Sequence, residues 1–97
     1  MFDGLIVDSF GDEPEVIGLI LAWVPIKTVR TKTGEDSYKG TPPGLCYALI
    51  GGKVLGGLVD IEIPKYEPLP GDEVVFNKGT NEDGDNFPEI VSIEGIL

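Results

Sequence analysis

The hydrophobic and polar positions of this chain follow the pattern of short strands separated by turns. Residues 59–63 alternate apolar with acidic side chains, so one face of this stretch is apolar and the other faces water. Prolines within residues 64–70 interrupt strand pairing and hold an extended connector, and Gly71 and Asp72 turn the chain into a second strand, residues 72–76. This order of strand, connector and strand is typical of a small closed or nearly closed β-barrel.

The most hydrophobic segment, residues 16–24, is predicted to be a strand because it combines β-branched residues, Trp23 and an interior Gly18. A short helix capped by Asp12 is the alternative. The segment is apolar on both faces, whereas a barrel with one core buries only the inner face. The outer face therefore needs a cover, either the N-terminal arm (residues 1–15) or a second molecule. The candidate protein-contact residues are alternate positions of this strand: Ile17, Leu19, Leu21 and Trp23.

Further strands are predicted on both sides of this segment. Pro25 should end it, and residues 26–40 read as a hairpin with its tip at Thr33-Gly34. Residues 45–50 form the next strand, and the pair Gly51-Gly52 is a tight turn that closes a hairpin.

The last part of the chain contains a second glycine pair and the closing strand. Gly56-Gly57 suggests a bulge or a sharp barrel corner. Residues 87–97 are predicted to close the barrel, with Ile90 and Ser92 on the face opposite Ile93.

A chain of 97 residues can enclose one core, so we expect a single domain over residues 1–97 with a possible N-terminal arm (1–15). The predicted fold is all-β: a small barrel of five to six strands, of OB-fold or SH3-like type.

The charge of the chain is strongly negative and unevenly distributed. Seventeen acidic residues face seven basic ones, which gives a net charge of −10. Residues 27–39 carry four of the bases and two acids, a net +2, which leaves −12 for the rest. Nucleic-acid binders gain most of their affinity from cations that displace counterions at phosphates. An acidic chain instead suits a basic protein surface or a metal ion.

Composition argues against catalysis and against a membrane span. The chain has no histidine, and its single Cys46 lies in a predicted strand, where a thiol usually behaves as a small buried hydrophobe. It has no glycine-rich phosphate loop with its lysine, so we expect no enzyme activity and no cofactor. No signal peptide is apparent, and the longest apolar run, residues 16–24, is well short of the roughly 20 residues that span a bilayer.

One acidic loop has a spacing that resembles part of a calcium loop. Asn81, Asp83 and Asp85 occupy positions 1, 3 and 5. However, Asn86 stands where that motif needs glycine, and Ser92 stands where it needs glutamate. These residues are a weak metal candidate, and a solvated hairpin loop is the simpler interpretation.

The C-terminal third resembles the OB-fold domains of phage-tail hub and spike proteins and of related injection-machine tips. Those domains carry a proline, a Gly-Asp-Glu-Val-Val entry into a strand, a Gly-Asp turn, and then Pro-x-Val-x-Gly. The matching positions are Pro68, Gly71, Asp72, Glu73, Val74, Val75, Phe76, Gly84, Asp85, Pro88, Ile90 and Gly95. The resemblance implies an oligomeric, non-catalytic domain that tolerates acidic residues.

The middle of the chain is similar to the single-stranded-DNA-binding proteins of filamentous phages. Those place a basic hairpin ahead of a Leu-Cys-Tyr-type strand, an alternating strand and a Pro-Gly turn; the matching stretches are residues 32–38, 45–47, 59–63 and 70–71. OB-type barrels also stack bases on aromatic side chains set among cations. The nucleic-acid candidates under this alternative are Arg30, Lys32, Tyr38, Lys39 and Tyr47.

The negative charge favours protein assembly over DNA binding, because the acids are not confined to a tail. We therefore predict a non-enzymatic structural protein, a phage virion component of the tail or head–tail region that forms homo-oligomeric or larger protein assemblies. Its expected location is the virion or the host cytoplasm. The alternative is a single-stranded-DNA binder that uses the 27–39 hairpin, and a third hypothesis is an acidic decoy that occupies a DNA-binding protein.

Overall fold

A computed structural model of the chain describes residues 2–26, 43–63 and 65–94. In these ranges the chain forms six strands and one short 3₁₀ helix. The strands are β1 (Gly4–Leu5), β2 (Glu15–Pro25), β3 (Gly44–Ile50), β4 (Lys53–Ile61), β5 (Glu73–Thr80) and β6 (Asn86–Glu94); the 3₁₀ helix spans Ile6–Ser9. The hairpin predicted over residues 26–40 lies almost entirely outside the described residues.

Five of the strands close into a barrel. β2 pairs antiparallel with β3 on one side and with β5 on the other, β3 pairs with β4, and β5 pairs with β6. The ring closes where β6 runs parallel to the end of β4, through Asp60 with Glu89 and Ile61 with Ile90. The short β1 adds a parallel pairing to β4 at Leu55. The all-β prediction is confirmed, and this closed five-stranded barrel with one extra strand is compatible with an OB-type barrel.

The N-terminal arm is part of the barrel core. Ile6 and Phe10 are 0% and 2% exposed and pack with buried side chains of the five barrel strands. Asp3 N–H donates to the Val54 carbonyl at 2.7 Å, which fixes the arm along β4. The sequence suggested the arm only as a cover for an outer face, whereas the structure uses two of its apolar residues to fill the interior.

Residues 16–24 form a strand, as the sequence predicted, and β2 ends at Pro25. The pairing of β2 with β3 shifts register between Ile20 and Ala22, so Leu21 is an inserted bulge residue. A one-residue shift exchanges the two faces of a strand. Trp23 consequently pairs with the buried Cys46 and packs against the core.

A second register shift corrects the prediction for the closing strand. Phe76 pairs with Ile90 while the preceding residue pairs with Ser92, so one residue of β6 is inserted between them. Ile90 is fully buried and Ile93 packs against the same core, whereas Ser92 is exposed. The expected alternation, with Ile90 and Ser92 on one face, is therefore wrong.

The two glycine pairs serve different purposes. Gly51 and Gly52 have φ of 59° and 83°, and they form the predicted tight turn between β3 and β4. Gly56 lies in β4, whose register with β3 runs without a shift, so the predicted bulge against β3 is absent. A Cβ on Gly56 would lie 2.7 Å from the ring of Tyr47, so glycine is needed there because an aromatic ring packs over the backbone.

The connector between β4 and β5 is held against β2. Gly71 N–H donates to the Ile20 carbonyl at 2.9 Å, and Ile20 N–H donates to the Asp72 carbonyl at 2.8 Å. The Tyr66 hydroxyl donates to the Asp72 carboxylate at 2.9 Å. These contacts let a proline-rich segment bridge two barrel strands without a helix.

Candidate protein-contact face

The outer surface of β2, β3 and β4 is built from three rows of side chains, each crossing all three strands. The registers align the rows as Leu19–Leu49–Val54, Ala22–Tyr47–Gly56 and Val24–Leu45–Leu58. The intervening positions point inward, as the complete burial of Ile20, Cys46 and Ala48 shows. None of the nine outer positions carries a charged side chain, and we call this surface the outer face.

Much of the outer face is open to water. Leu58 is 61% exposed and Val24 is 56% exposed, at the two ends of one row. Leu19 and Leu49, neighbours in another row, are 36% and 37% exposed. Contiguous exposed apolar side chains on a small domain make this surface the candidate site of protein contact.

The protein-contact candidates from the sequence separate into two groups. Ile17 is 52% exposed on β2 beside the outer face, and Leu21, the bulge residue, is 38% exposed. Together with Leu19 they leave the outer side of β2 apolar and uncovered. Trp23 lies on the inner side, where its ring contacts Gly44, and its indole N–H has no hydrogen-bond partner among the described residues.

The N-terminal arm covers only the middle row of the outer face. The ring of Phe2 meets that of Tyr47 edge to face, with centroids 5.7 Å apart and an interplanar angle of 88°. Phe2 itself remains 47% exposed. The arm therefore supports Tyr47 above Gly56 and leaves the rows on either side open.

The rim of the outer face is acidic at both ends. Glu15 lies two residues before Ile17 on the outer side of β2. Glu73, on β5, is the register partner of Leu19 on β2, and both glutamates are exposed. At the opposite end, Asp60 follows Leu58 by two residues on β4. The face is thus an uncharged centre between two groups of carboxylates.

The carboxylates at the β4 end form a cluster that spans the closure of the barrel. Asp60 and Glu89 are register partners, and Glu62 N–H donates to the Ile90 carbonyl at 2.9 Å. Burial and the charge of Glu62 raise the pKa of Asp60. Burial of Glu89, its hydrogen bond with Glu62 and the negative charge of Glu62 raise the pKa of Glu89. A hydrogen bond with Asn77 acts in the opposite direction and lowers this pKa in part. The alternation of Asp60 and Glu62 was visible in the sequence, but the approach of Glu89 depends on the β4–β6 pairing and was missed.

Of the nucleic-acid candidates, Tyr47 alone lies within the described residues, on the outer face. Arg30, Lys32, Tyr38 and Lys39 lie outside them. None of the nine outer positions around Tyr47 carries a cation, and the one base on β2, β3 and β4 is Lys53 at the start of β4.

The weak calcium candidate, Asn81 with Asp83 and Asp85, forms the turn between β5 and β6. The Asn81 side-chain oxygen accepts hydrogen bonds from the backbone N–H of Asp83 and of Asp85, each at 2.9 Å. This side chain therefore shapes the turn. Within residues 2–26, 43–63 and 65–94, no three His, Cys, Asp or Glu side chains are grouped to hold a metal ion.

Cys46 is fully buried in β3, and burial raises the pKa of its thiol to about 12. A thiol with so high a pKa is almost entirely protonated at neutral pH, and the thiolate is the reactive form. Cys46 acts as a core side chain.

The fold and this face define the chain as a small closed β-barrel with an uncharged outer surface on three strands. Comparison with protein-family models, with curated proteins and with solved structures found no match. Among the described residues, no helix has the length and apolar character needed to cross a bilayer.

Proposed function

We propose that this protein is a non-enzymatic assembly module that packs its outer face against another protein, as a component of a phage particle in the tail or head–tail region. The observation that carries the proposal is the outer face itself, nine uncharged positions in three rows. Water in contact with these side chains is released on docking, which favours association at roughly 25 cal/mol per Å² of apolar surface.

The phage assignment draws on the motif positions of the C-terminal third. Gly71, with φ of 98°, forms the turn that enters β5, and Gly84, with φ of 86°, lies in the turn between β5 and β6. Pro88 lies in the closing strand. These two glycines thus occupy turns that need a positive φ, as a barrel of this kind requires. The virion or the host cytoplasm is the corresponding location.

The alternative function is binding of single-stranded DNA. OB-type barrels bind oligonucleotides on the second and third barrel strands, which correspond to β3 and β4, and Tyr47 presents an aromatic ring there. Non-specific binding of a single strand needs a positively charged groove beside such rings. The uncharged centre and the acidic rim positions of the described residues favour a protein partner over a polyanion, and the cations that this alternative would use are those of the 27–39 hairpin, outside the described residues.

Site-specific photo-crosslinking tests the proposed function. A photoreactive phenylalanine analogue replaces Leu49 on the outer face or, as the control, Glu82 in the exposed β5–β6 turn. The chain is produced together with the products of the genes that flank its own, and irradiated. We expect protein adducts from position 49 and few from position 82. Equal yields, or adducts to nucleic acid from position 49, would contradict the proposal.

Fluorescence anisotropy with labelled oligo-dT tests the alternative. The proposal predicts no saturable binding at physiological salt. Saturable binding that weakens steeply as salt rises would instead support a nucleic-acid site, because such binding releases counterions.

A further inference from the structure

We infer that the partner on the outer face is a different protein, one that presents an apolar centre surrounded by lysine and arginine side chains, and not a second copy of this chain. This inference rests on the proposed function and specifies its partner. The observations behind it are the size of the outer face, the charges at its rim and a depression at one end.

The apolar centre is too small to hold a stable complex alone. A strand rises about 3.3 Å per residue, and neighbouring strands lie about 4.8 Å apart. Three rows of side chains across three strands therefore cover on the order of 250 Å². A standard interface buries about 800 Å² on each partner. Most of any stable interface on this face must therefore extend over its rim.

The charged side chains at the rim determine which partner surface such an interface favours. Glu15 and Glu73 lie at the β2 end, and Asp60 with Glu89 at the β4 end. Lys53, exposed at the start of β4, is a base near the face within the described part of the chain. A two-fold pair of identical chains would place the acidic rim positions of the described residues against each other, and such like-charge contacts cost several kcal/mol. A basic rim on a different protein would meet these carboxylates favourably.

The outer face has a depression beside Leu58 into which an apolar side chain of the partner can insert. A shallow depression of about 260 Å³ lies beside Leu58, lined by Leu5, Val7, Phe87 and Pro88 among others. Interface hot spots commonly consist of one large side chain inserted into such a depression. The partner is therefore expected to carry a protruding apolar side chain next to its basic residues.

Peptide probes test this inference. The probe is a blocked nine-residue peptide of alternating isoleucine and lysine, and the matched control alternates isoleucine and glutamate. Binding is measured by titration calorimetry and located by NMR shift changes. We expect the lysine peptide to perturb outer-face residues such as Leu49 and Leu58, and to bind at least tenfold more tightly than the glutamate peptide.

Two sets of variants separate the apolar and charged contributions. Leu49→Ser with Leu58→Ser should weaken binding of the lysine peptide at least tenfold. Glu15→Gln with Glu73→Gln, at exposed positions that leave the fold intact, should weaken it severalfold and reduce its salt dependence. Unchanged binding by either pair would overturn the inference, as would shift changes confined to the acidic turn at residues 81–85.

Sedimentation velocity provides the decisive comparison with self-association. We expect a monomer at 100 µM or so in about 0.15 M salt, where screening is moderate. A dimer that the Leu49→Ser, Leu58→Ser variant abolishes would overturn the inference of a different, basic partner. The proposed assembly function would survive that result, whereas it would fail if position 49 crosslinked to nucleic acid.

Discussion

Phe10 in the N-terminal arm offers the sharpest test of how this barrel is held together, because the same arm contains a matched control. Phe10 is 2% exposed within the core, and Phe2 is 47% exposed on the outer face. Truncating a buried phenylalanine removes its transfer free energy and leaves a cavity, a loss of about 3–5 kcal/mol in the free energy of unfolding. Phe2→Ala should cost about 1 kcal/mol, from the half of its side chain that is shielded from water and from its edge-to-face contact with Tyr47.

The two substitutions are compared by thermal and urea unfolding, with the fluorescence of the single Trp23 as the probe. For a domain of this size, 1 kcal/mol shifts Tm by about 4–8 °C. Phe10→Ala should therefore lower Tm by more than about 10 °C, and Phe2→Ala by less than about 8 °C. Similar small losses for both would show that the arm is an appendage and not part of the core. A loss for Phe2→Ala as large as that for Phe10→Ala would refute the assignment of Phe2 to the surface.

Three further predictions concern the carboxylate cluster, the outer face and the acidic turn. The pKa of Glu89 is raised in the folded chain, so the folded state binds this proton more tightly than the unfolded state, and stability should fall as pH rises through the mildly acidic range. Glu89→Gln should flatten that slope in urea unfolding measured from pH 4 to 7. An unchanged slope would show that Glu89 does not carry the effect. Gly56→Ala should lower the free energy of unfolding by about 1–3 kcal/mol, because the new Cβ would meet the ring of Tyr47. In a chain that already carries Tyr47→Ala, the same substitution should cost much less. Additive losses in the double variant would contradict the contact. Asn81→Ala should cost about 1 kcal/mol by removing the acceptor of two backbone N–H groups, and a neutral result would show that the turn holds without it.

The strand content could be predicted from the sequence because local pattern determines it. Alternation and β-branched residues indicated β2 and β4, Pro25 marked the end of β2, and Gly51-Gly52 marked the turn between β3 and β4. Turn chemistry and side-chain alternation act over a few neighbouring residues, so both can be read along the chain.

The details that a bulge or a distant pairing decides could not be predicted in this way. One inserted residue, Leu21, exchanges the faces of β2 and carries Trp23 inward, although the sequence continues an unbroken apolar run. The burial of Ile6 and Phe10 and the approach of Glu89 to Asp60 depend on contacts between distant segments, and local pattern carries no information about them.

The exposure of the outer face is the claim on which the proposed function and its partner depend, and methyl NMR with a soluble paramagnetic agent measures it directly. The structure predicts strong broadening of the methyl signals of Leu19, Leu49 and Leu58, and protection of those of Ile20 and Val59 on the same strands. Protection of the three leucines to the same degree as Ile20 and Val59 would contradict the account.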